Sequence, residues 1–391
     1  MKILFPYMAR WSSAHASRYY HLLMNVAEMG HTVYVLQPPS RGSSEANDID
    51  VVLQSHPNVH VITVEINKSF WSADFPMEKL IKKMYFSVKG RSVLRSLVKK
   101  ERIDLIYVYN LPQFLYLIGK PANVVFDLAD DLLGMLKTEL SITERHPLYR
   151  LSKYCLEWMM RKSEMVICIS GPLFETIHHP KKFLIPNGSR IKHLFESEPS
   201  EEKKKRVRPV VGYVGAFEYS MALDQAIDAA AGMPDVDFVL IGAGREFPRI
   251  QKKVNDLKLT NVTLTGALPH DKAMKIVSEM DICLNLFNKT DVSHAVSPLK
   301  LFEYLSLHRP VISTRLKEVE RINKDFLYFA DTVDELTEQI RYIIAHREEA
   351  AEKTQRGYEV TVTDFSWTTI AKNFIDAVYA STSISRGSST K

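Results

Sequence analysis

The sequence predicts an α/β protein made of two doubly wound parallel-sheet domains. Three observations predict it. Short apolar strand patterns alternate with helical ones through the first half. The alternation then restarts after a polar, charged break at residues 196–209. The length, 391 residues, exceeds what one ordinary hydrophobic core serves.

The elements follow in order. Residues 2–6 read as a strand. Tyr19, Leu22, Leu23 and Val26 lie at helical spacing, which predicts a helix over 16–29 that Gly30 ends. Further strands are expected at 31–36, 61–65, 105–109, 123–127, 166–170 and 183–186. Strand and helix alternating at this rhythm build a parallel sheet covered on both faces. The break at 196–209 lacks apolar period and reads as a surface linker or exposed loop. Beyond it, strands are expected at 210–214, 238–241, 262–265, 282–285, 311–313 and 327–329. Helices are expected at 223–231, 271–280, from Ser297 onward, and at 333–346. This divides the chain into a domain over 1–190, a linker over 191–208 and a second domain over 209–367. A last helix over 368–380 follows Phe365-Ser366-Trp367, and the Ser/Thr/Gly-rich tail 381–391 reads as disordered. Open sheets of this kind bind ligands beyond the carboxyl ends of their strands, so the two domains are expected to face a cleft.

Composition narrows the class. Apolar residues make up 46% and charged residues 25%, values ordinary for a soluble globular chain. No apolar run approaches the roughly 20 residues that span a bilayer, and the apolar start at residues 1–6 is too short for a signal peptide. The three cysteines, Cys155, Cys168 and Cys283, are scattered without metal-ligand spacing. They read as reduced core thiols of a cytoplasmic protein. The net charge of +5 is unevenly spread. Nine basic residues fall between Met77 and Arg102, among them Lys83, Lys89, Arg95, Lys99 and Lys100, with Leu80, Ile81, Tyr85 and Val88 interleaved. With Phe70, Trp71 and Phe75 upstream, the stretch 70–102 is either a surface for anionic lipid on the inner face of a membrane or a plain solvated helix face. No nucleic-acid-binding module accompanies the charge, which argues against nucleic acid as partner.

Residues 297–312, Ser-Pro-Leu-Lys-Leu-Phe-Glu-Tyr-Leu-Ser-Leu-His-Arg-Pro-Val-Ile, carry the most chemistry. Ser297 is expected to cap a helix and Pro298 to occupy its first position. The helix is apolar nearly all round, which means burial, yet Lys300 and Glu303 share one face within it. Two readings fit. Either the two residues pair internally, or the helix tip, with Ser297, Pro298, Leu299 and Lys300, grips an anion such as a phosphate while Glu303 accepts bonds from ribose hydroxyls. Gly215-Ala216 after strand 210–214, and Gly242 and Gly244-Arg245 after strand 238–241, supply strand-end turns where backbone could approach a phosphate. Neither has the third glycine of the dinucleotide fingerprint, and the second strand ends at Gln37 rather than at an acid, so an NAD enzyme is disfavoured. Asp127, Asp130 and Asp131 cluster at a strand end and could hold sugar hydroxyls, act as a base or bind a metal. One of them is expected to cap the helix starting at Leu132, leaving Asp127 as the functional carboxylate. Arg10 and His15 lie in the loop after the first strand, where His15 reads either as a substrate contact or as a solvated side chain. Asp48-Ile49-Asp50 sits in a polar loop and reads as surface, not metal site.

These segments together resemble the GT-B glycosyltransferases, specifically the group-1, family-4-like and mostly retaining nucleotide-sugar enzymes. Residues 1–5 and 29–36 are similar to the family's first strand–helix–strand, and 166–170 with 183–188 to its entry into the interdomain hinge. Residues 210–215 resemble the first strand and glycine turn of its donor domain. Residues 261–266, ending at Gly266, and 281–285 are similar to later donor-domain strands, 297–312 to its donor-binding helix, and Ser366-Trp367 to its crossover onto the N-terminal domain. The resemblance implies transfer of a sugar from a nucleotide-diphosphate sugar to a hydroxyl of a saccharide or lipid-linked acceptor in polysaccharide or glycolipid synthesis, with retention and with no cofactor or metal. It implies donor contacts from Gly215, Ala216, Gly242, Arg245, Gly266, Ser297, Pro298, Leu299, Lys300 and Glu303. Lys300 would act on the leaving diphosphate, Asp127 near the reacting hydroxyl, and Arg10, His15 and Asp130 toward the acceptor. Two departures stand out. Glu303 matches the second of two glutamates eight apart, but Ala295 occupies the first position. Phe217 to Ser220 replace the usual Arg and Lys after the glycine turn. A nucleotide-sugar epimerase of the same fold, or a non-catalytic binder, remains an alternative at this stage.

Overall fold

The computed structural model describes residues 1–11, 17–40, 56–72, 78–189 and 206–384. The chain divides into two compact units, one formed by Met1–Pro186 with the segment from Trp367 onward, the other by Asn187–Ser366. The second unit thus starts just before the expected linker. Ser189 forms a β-bridge to Ser366, and the Asn187 side-chain amide donates to the Ser297 carbonyl at 2.7 Å.

The first unit is a seven-stranded sheet of β1 (Lys2–Pro6), β2 (Thr32–Gln37), β3 (Val59–Thr63), β4 (Leu105–Val108), β5 (Asn123–Leu128), β6 (Met165–Cys168) and β7 (Lys182–Leu184). Its order is β3-β2-β1-β4-β5-β6-β7, and every pairing is parallel. β4 and β6 are apolar and fully covered, and β1 is so beyond Lys2, as a parallel sheet with helices on both faces requires. The helix Arg18–Glu28 starts where Ser17 accepts from the Tyr20 N–H. Across it lies the final helix Trp367–Ser381. Trp367 stacks on His21 with ring centroids 5.5 Å apart, and the Thr368 hydroxyl donates to Asn25 at 3.0 Å. The returning C-terminal helix expected from the sequence is therefore part of this unit.

The second unit has six parallel strands: β8 (Val210–Val214), β9 (Asp237–Ile241), β10 (Val262–Leu264), β11 (Ile282–Asn285), β12 (Val311–Ser313) and β13 (Tyr328–Phe329). Their order, β10-β9-β8-β11-β12-β13, repeats that of the first sheet. In both, strand order reverses once, between β1 and β4 and between β8 and β11, and such reversals open the crevice where ligands bind. The sequence reading missed the long helix Pro147–Lys162 of the first unit and, in this unit, the helix Arg347–Asp364. The latter is charged over most of its surface and buries only small residues, Ala350, Thr354, Gly357 and Thr361. Gly357 is there for proximity, since a Cβ at that position would stand 2.7 Å from Leu305 Cδ2. Cys168 and Cys283 are buried and Cys155 is half-buried, less covered than expected. Among the described residues, no helix is long and apolar enough to cross a membrane.

Candidate functional site

The helix Leu299–Ser306 follows β11 and carries Lys300 to the strand-order reversal of the second sheet. Its start differs from the expected register. Pro298, not Ser297, is the N-cap, and it gives no side-chain capping bond. The Ser297 hydroxyl instead accepts from the Asn187 backbone N–H at 3.2 Å. Proline at N-cap has no hydroxyl to spend on the first turn, so the leading N–H groups keep their capacity for an external acceptor.

Lys300 Nζ donates to the Tyr213 hydroxyl at 3.0 Å and lies 4.1 Å from the Tyr213 ring centroid and 5.3 Å from that of Phe287. Met221 sulfur is 3.5 Å away. Tyr213 in turn donates to the Ala216 carbonyl at 2.8 Å, leaving its oxygen to accept from the lysine. The internal Lys300–Glu303 pair is not formed. Glu303 Oε1 instead meets His270 Nε2 at 2.8 Å. Lys300 therefore has neutral partners and no carboxylate at ion-pair distance among the described residues. Burial pulls its pKa down to about 7, against a smaller opposing pull from Glu303. The residue as a whole is only half-buried, so water reaching it limits that fall.

Backbone closes on this lysine from β8 and β9. Gly215 has φ +150°, and a Cβ there would stand 2.8 Å from Lys300 Nζ. Gly242, at φ +146°, would place a Cβ 1.8 Å from the Gly215 carbonyl oxygen, so only glycine lets the two turns touch. The Gly215 N–H donates to Ile241 and the Gly242 N–H to Gly266, tying three strand ends together. Gly266, at φ +72°, has open space beside it. Ala216 is exposed and Leu299 half-buried. Arg245 is largely exposed and faces Glu218 at 3.7 Å, which partly neutralises it. Ala295 is buried at the end of the short helix Asp291–His294, upstream of Pro298.

In the first unit the expectation for Asp127 needs correction. Its side chain is fully buried and receives Arg18 Nε at 2.8 Å and the Tyr107 hydroxyl. Arg18 also donates to the Pro186 carbonyl at 2.8 Å. Burial, and then the Asp127 charge, pushes Tyr107 well above its usual pKa. Asp127 is thus the counter-ion of a buried arginine rather than a carboxylate presented to substrate. Asp131 is the capping residue, accepting from the Gly134 N–H at 2.9 Å. Asp130 is the exposed member. Crowding by protein atoms, then the Asp127 charge, raises it to about 6, although its exposed surface allows water to offset part of that. No three His, Cys, Asp or Glu side chains among the described residues are placed to share a metal, so the metal reading of this cluster lacks a ligand set. Arg10 is half-buried after β1, and His15 lies outside the described residues.

Sequence reasoning missed Tyr213, Phe287, His270 and Arg18. The first lay inside the Gly-Tyr-Val-Gly run it singled out. For the others no helical or strand spacing signals the contact, because the partners lie on different elements, Arg18 and Asp127 being 109 residues apart and His270 and Glu303 33.

Two parallel sheets with matching strand order, the second holding an uncompensated lysine at its reversal, define a protein of the GT-B glycosyltransferase fold. The comparisons agree with that class. Residues 222–376, which include His270, Lys300 and Glu303, match the family described as glycosyl transferase-like. TuaH of Bacillus subtilis (strain 168), whose description assigns it as a teichuronic acid biosynthesis glycosyltransferase, is 27% identical over 179 residues, 44% of this chain and 45% of that protein. The match thus spans under half of that relative's length. Among solved structures, sucrose-phosphate synthase from Thermosynechococcus elongatus superposes with a TM-score of 0.74 at 17% identity, covering 98% of this chain and all of the other. Anabaena Alr3699/HepE in complex with UDP and glucose gives 0.70 at 17% identity over 97% of this chain and all of that one. At such identities the likeness is one of fold.

Proposed function

We propose that this protein is a glycosyltransferase that moves a sugar from a nucleotide-diphosphate sugar to a hydroxyl acceptor, with retention, in the assembly of a polysaccharide or glycolipid. One observation carries the reading: an ammonium held by a phenol, two aromatic faces and a thioether, with no carboxylate among the described residues at ion-pair distance, beside the glycine turns of a parallel sheet. A diphosphate supplies the missing charge. Lys300 and the first N–H groups of its helix then stabilise the charge that builds on the leaving diphosphate, an electrostatic contribution that is large in sites of this kind. Glu303, fixed by His270, accepts from the ribose. Ala295 offers no carboxylate to the transferred sugar, so the donor sugar is held by other contacts. In the first unit Asp130, not Asp127, faces solvent as the group for an acceptor hydroxyl.

The reading extends to where the protein works. In the helix Glu78–Glu101, Leu80, Ile81 and Val88 are exposed beside exposed Lys89, Arg95, Lys99 and Lys100. That face suits the anionic inner surface of a membrane carrying a lipid-linked acceptor. Lys82 takes no part in it, being buried and paired with Glu78.

The test is a thermal-shift panel of UDP, GDP, ADP and TDP sugars. A ligand at about 100 times its Kd stabilises by about 2.7 kcal/mol. Donor consumed only when an acceptor is added supports transfer. Donor converted with no acceptor points to an epimerase, and binding with no turnover to a carrier of nucleotide sugar.

A further inference from the structure

The second unit has a cavity at the end of its sheet away from Lys300, unused by the transfer reading. It holds about 400 Å³, within the size range of small-molecule sites. Its lining includes Ile282, which opens β11, and Pro310, which precedes β12. It therefore lies at the amino ends of the strands, whereas the glycine turns and Lys300 lie at the carboxyl ends. β8 separates the two edges by five residues, roughly 17 Å.

The lining is apolar at its floor and cationic at its rim. Ile343 and Ala350 are buried there. Arg309 and Arg347 supply the charge. Arg309 donates through Nε to the Leu307 carbonyl at 2.8 Å and through a terminal nitrogen to that of Met280 at 2.9 Å. Both acceptors are neutral, and burial works against its charge more than nearby Cys283 and Asp281 support it. Arg347, exposed at the first position of its helix, has no ion pair among the described residues. Asp281 is the one acid in the lining, and it is already bound by the Arg206 guanidinium and the Val210 N–H. Two guanidiniums without a carboxylate at ion-pair distance among the described residues thus line a space whose one acid is already engaged through one oxygen by Arg206 and the Val210 N–H.

We propose that this cavity binds a small organic anion, a phosphate or carboxylate carried on a compact apolar body. Arginine forks hold the charged group, and the isoleucine and alanine floor takes the apolar part.

Calorimetry with phenyl phosphate, benzoate, inorganic phosphate and uncharged benzyl alcohol tests this on the full chain. Phenyl phosphate or benzoate should bind at millimolar concentration or better, and whichever is tighter gives the headgroup. Inorganic phosphate and benzyl alcohol should bind more weakly, and UDP should not displace the probe. Arg347→Ala and Ala351→Glu alter exposed positions and keep the fold, as circular dichroism would verify. The first should weaken the probe about tenfold, the value of one charge-assisted bond, and the second should abolish binding. Absence of binding by both anions, equal binding to all three proteins, or displacement by UDP would each overturn the assignment.

Discussion

The lysine at the tip of the helix Leu299–Ser306 makes a prediction that depends on pH. In the free protein burial lowers the Lys300 pKa toward about 7, because it disfavours the charge. A diphosphate beside it restores the ordinary preference of an amine, near 10.4. The sign follows. Below pH 7 both states are protonated, and affinity for a nucleotide sugar is flat. Above pH 7 the free lysine is neutral and the bound one charged, so binding takes up a proton and weakens as pH rises. The limit is about tenfold per pH unit between roughly 7 and 9. A nucleotide sugar's diphosphate is esterified at both ends and does not titrate in that window, so the slope belongs to the protein. Calorimetry with UDP-glucose in buffers of different ionisation enthalpy reads the proton directly. At pH 8 about one proton should enter per complex in the native protein and none in Lys300→Met, which should also bind more weakly at pH 7. The sign reverses for folding of the free protein: the folded state holds Lys300 below its unfolded pKa, the unfolded chain carries the extra proton, and stability therefore rises with pH from about 7 to 10. A flat affinity from pH 6 to 9, with no proton uptake, would refute the placement of the diphosphate at this amine.

Further outcomes are expected. Lys300→Ala should lower kcat by roughly 10²-fold or more in a transfer assay, as loss of a preorganised electrostatic donor does. Gly242→Ala, which would drive a Cβ into the Gly215 carbonyl, should cost on the order of 3 kcal/mol by urea titration and abolish nucleotide binding. Arg18→Met should cost roughly 3–5 kcal/mol by leaving Asp127 buried and unpaired, and the double change Arg18→Met with Asp127→Asn should cost less. Asp130→Asn should leave stability unchanged or raise it, since the fold disfavours the Asp130 charge, while slowing transfer; unchanged turnover would remove Asp130 from the acceptor site. Replacing Lys89, Lys99 and Lys100 by alanine should weaken sedimentation with phosphatidylserine vesicles by roughly two orders of magnitude at low salt, at about 1 kcal/mol per cation, and equal binding would exclude this face.

Much of the fold was legible because a parallel strand buried on both faces announces itself as an apolar run. β1, β8, β11 and β12 fall at the expected residues. Helices with a wide apolar face were equally plain, as at Leu223–Gly232 and Val333–Ala345. The helix Arg347–Asp364 was not, because an element that buries alanine, threonine and glycine leaves no hydrophobic period to count. At the site, Lys300 stood out as a charge inside an apolar helix, and Gly215 and Gly242 as glycines at strand ends. What the sequence could not reveal was partnership. Glu303 sits three positions from Lys300 on its own helix, yet its carboxylate goes to His270, 33 residues back. Asp127 had the composition of a functional carboxylate, and only the arrival of Arg18 from 109 residues away shows it to be a buried counter-ion. Ser297 has the chemistry of a cap, but Asn187 claims its hydroxyl first.

The most direct test is a crystal of this protein soaked with a nucleotide sugar. The account predicts the diphosphate within hydrogen-bonding distance of Lys300 Nζ and the N–H groups that open its helix, with the ribose on Glu303. Density for the diphosphate anywhere else on the chain would contradict it.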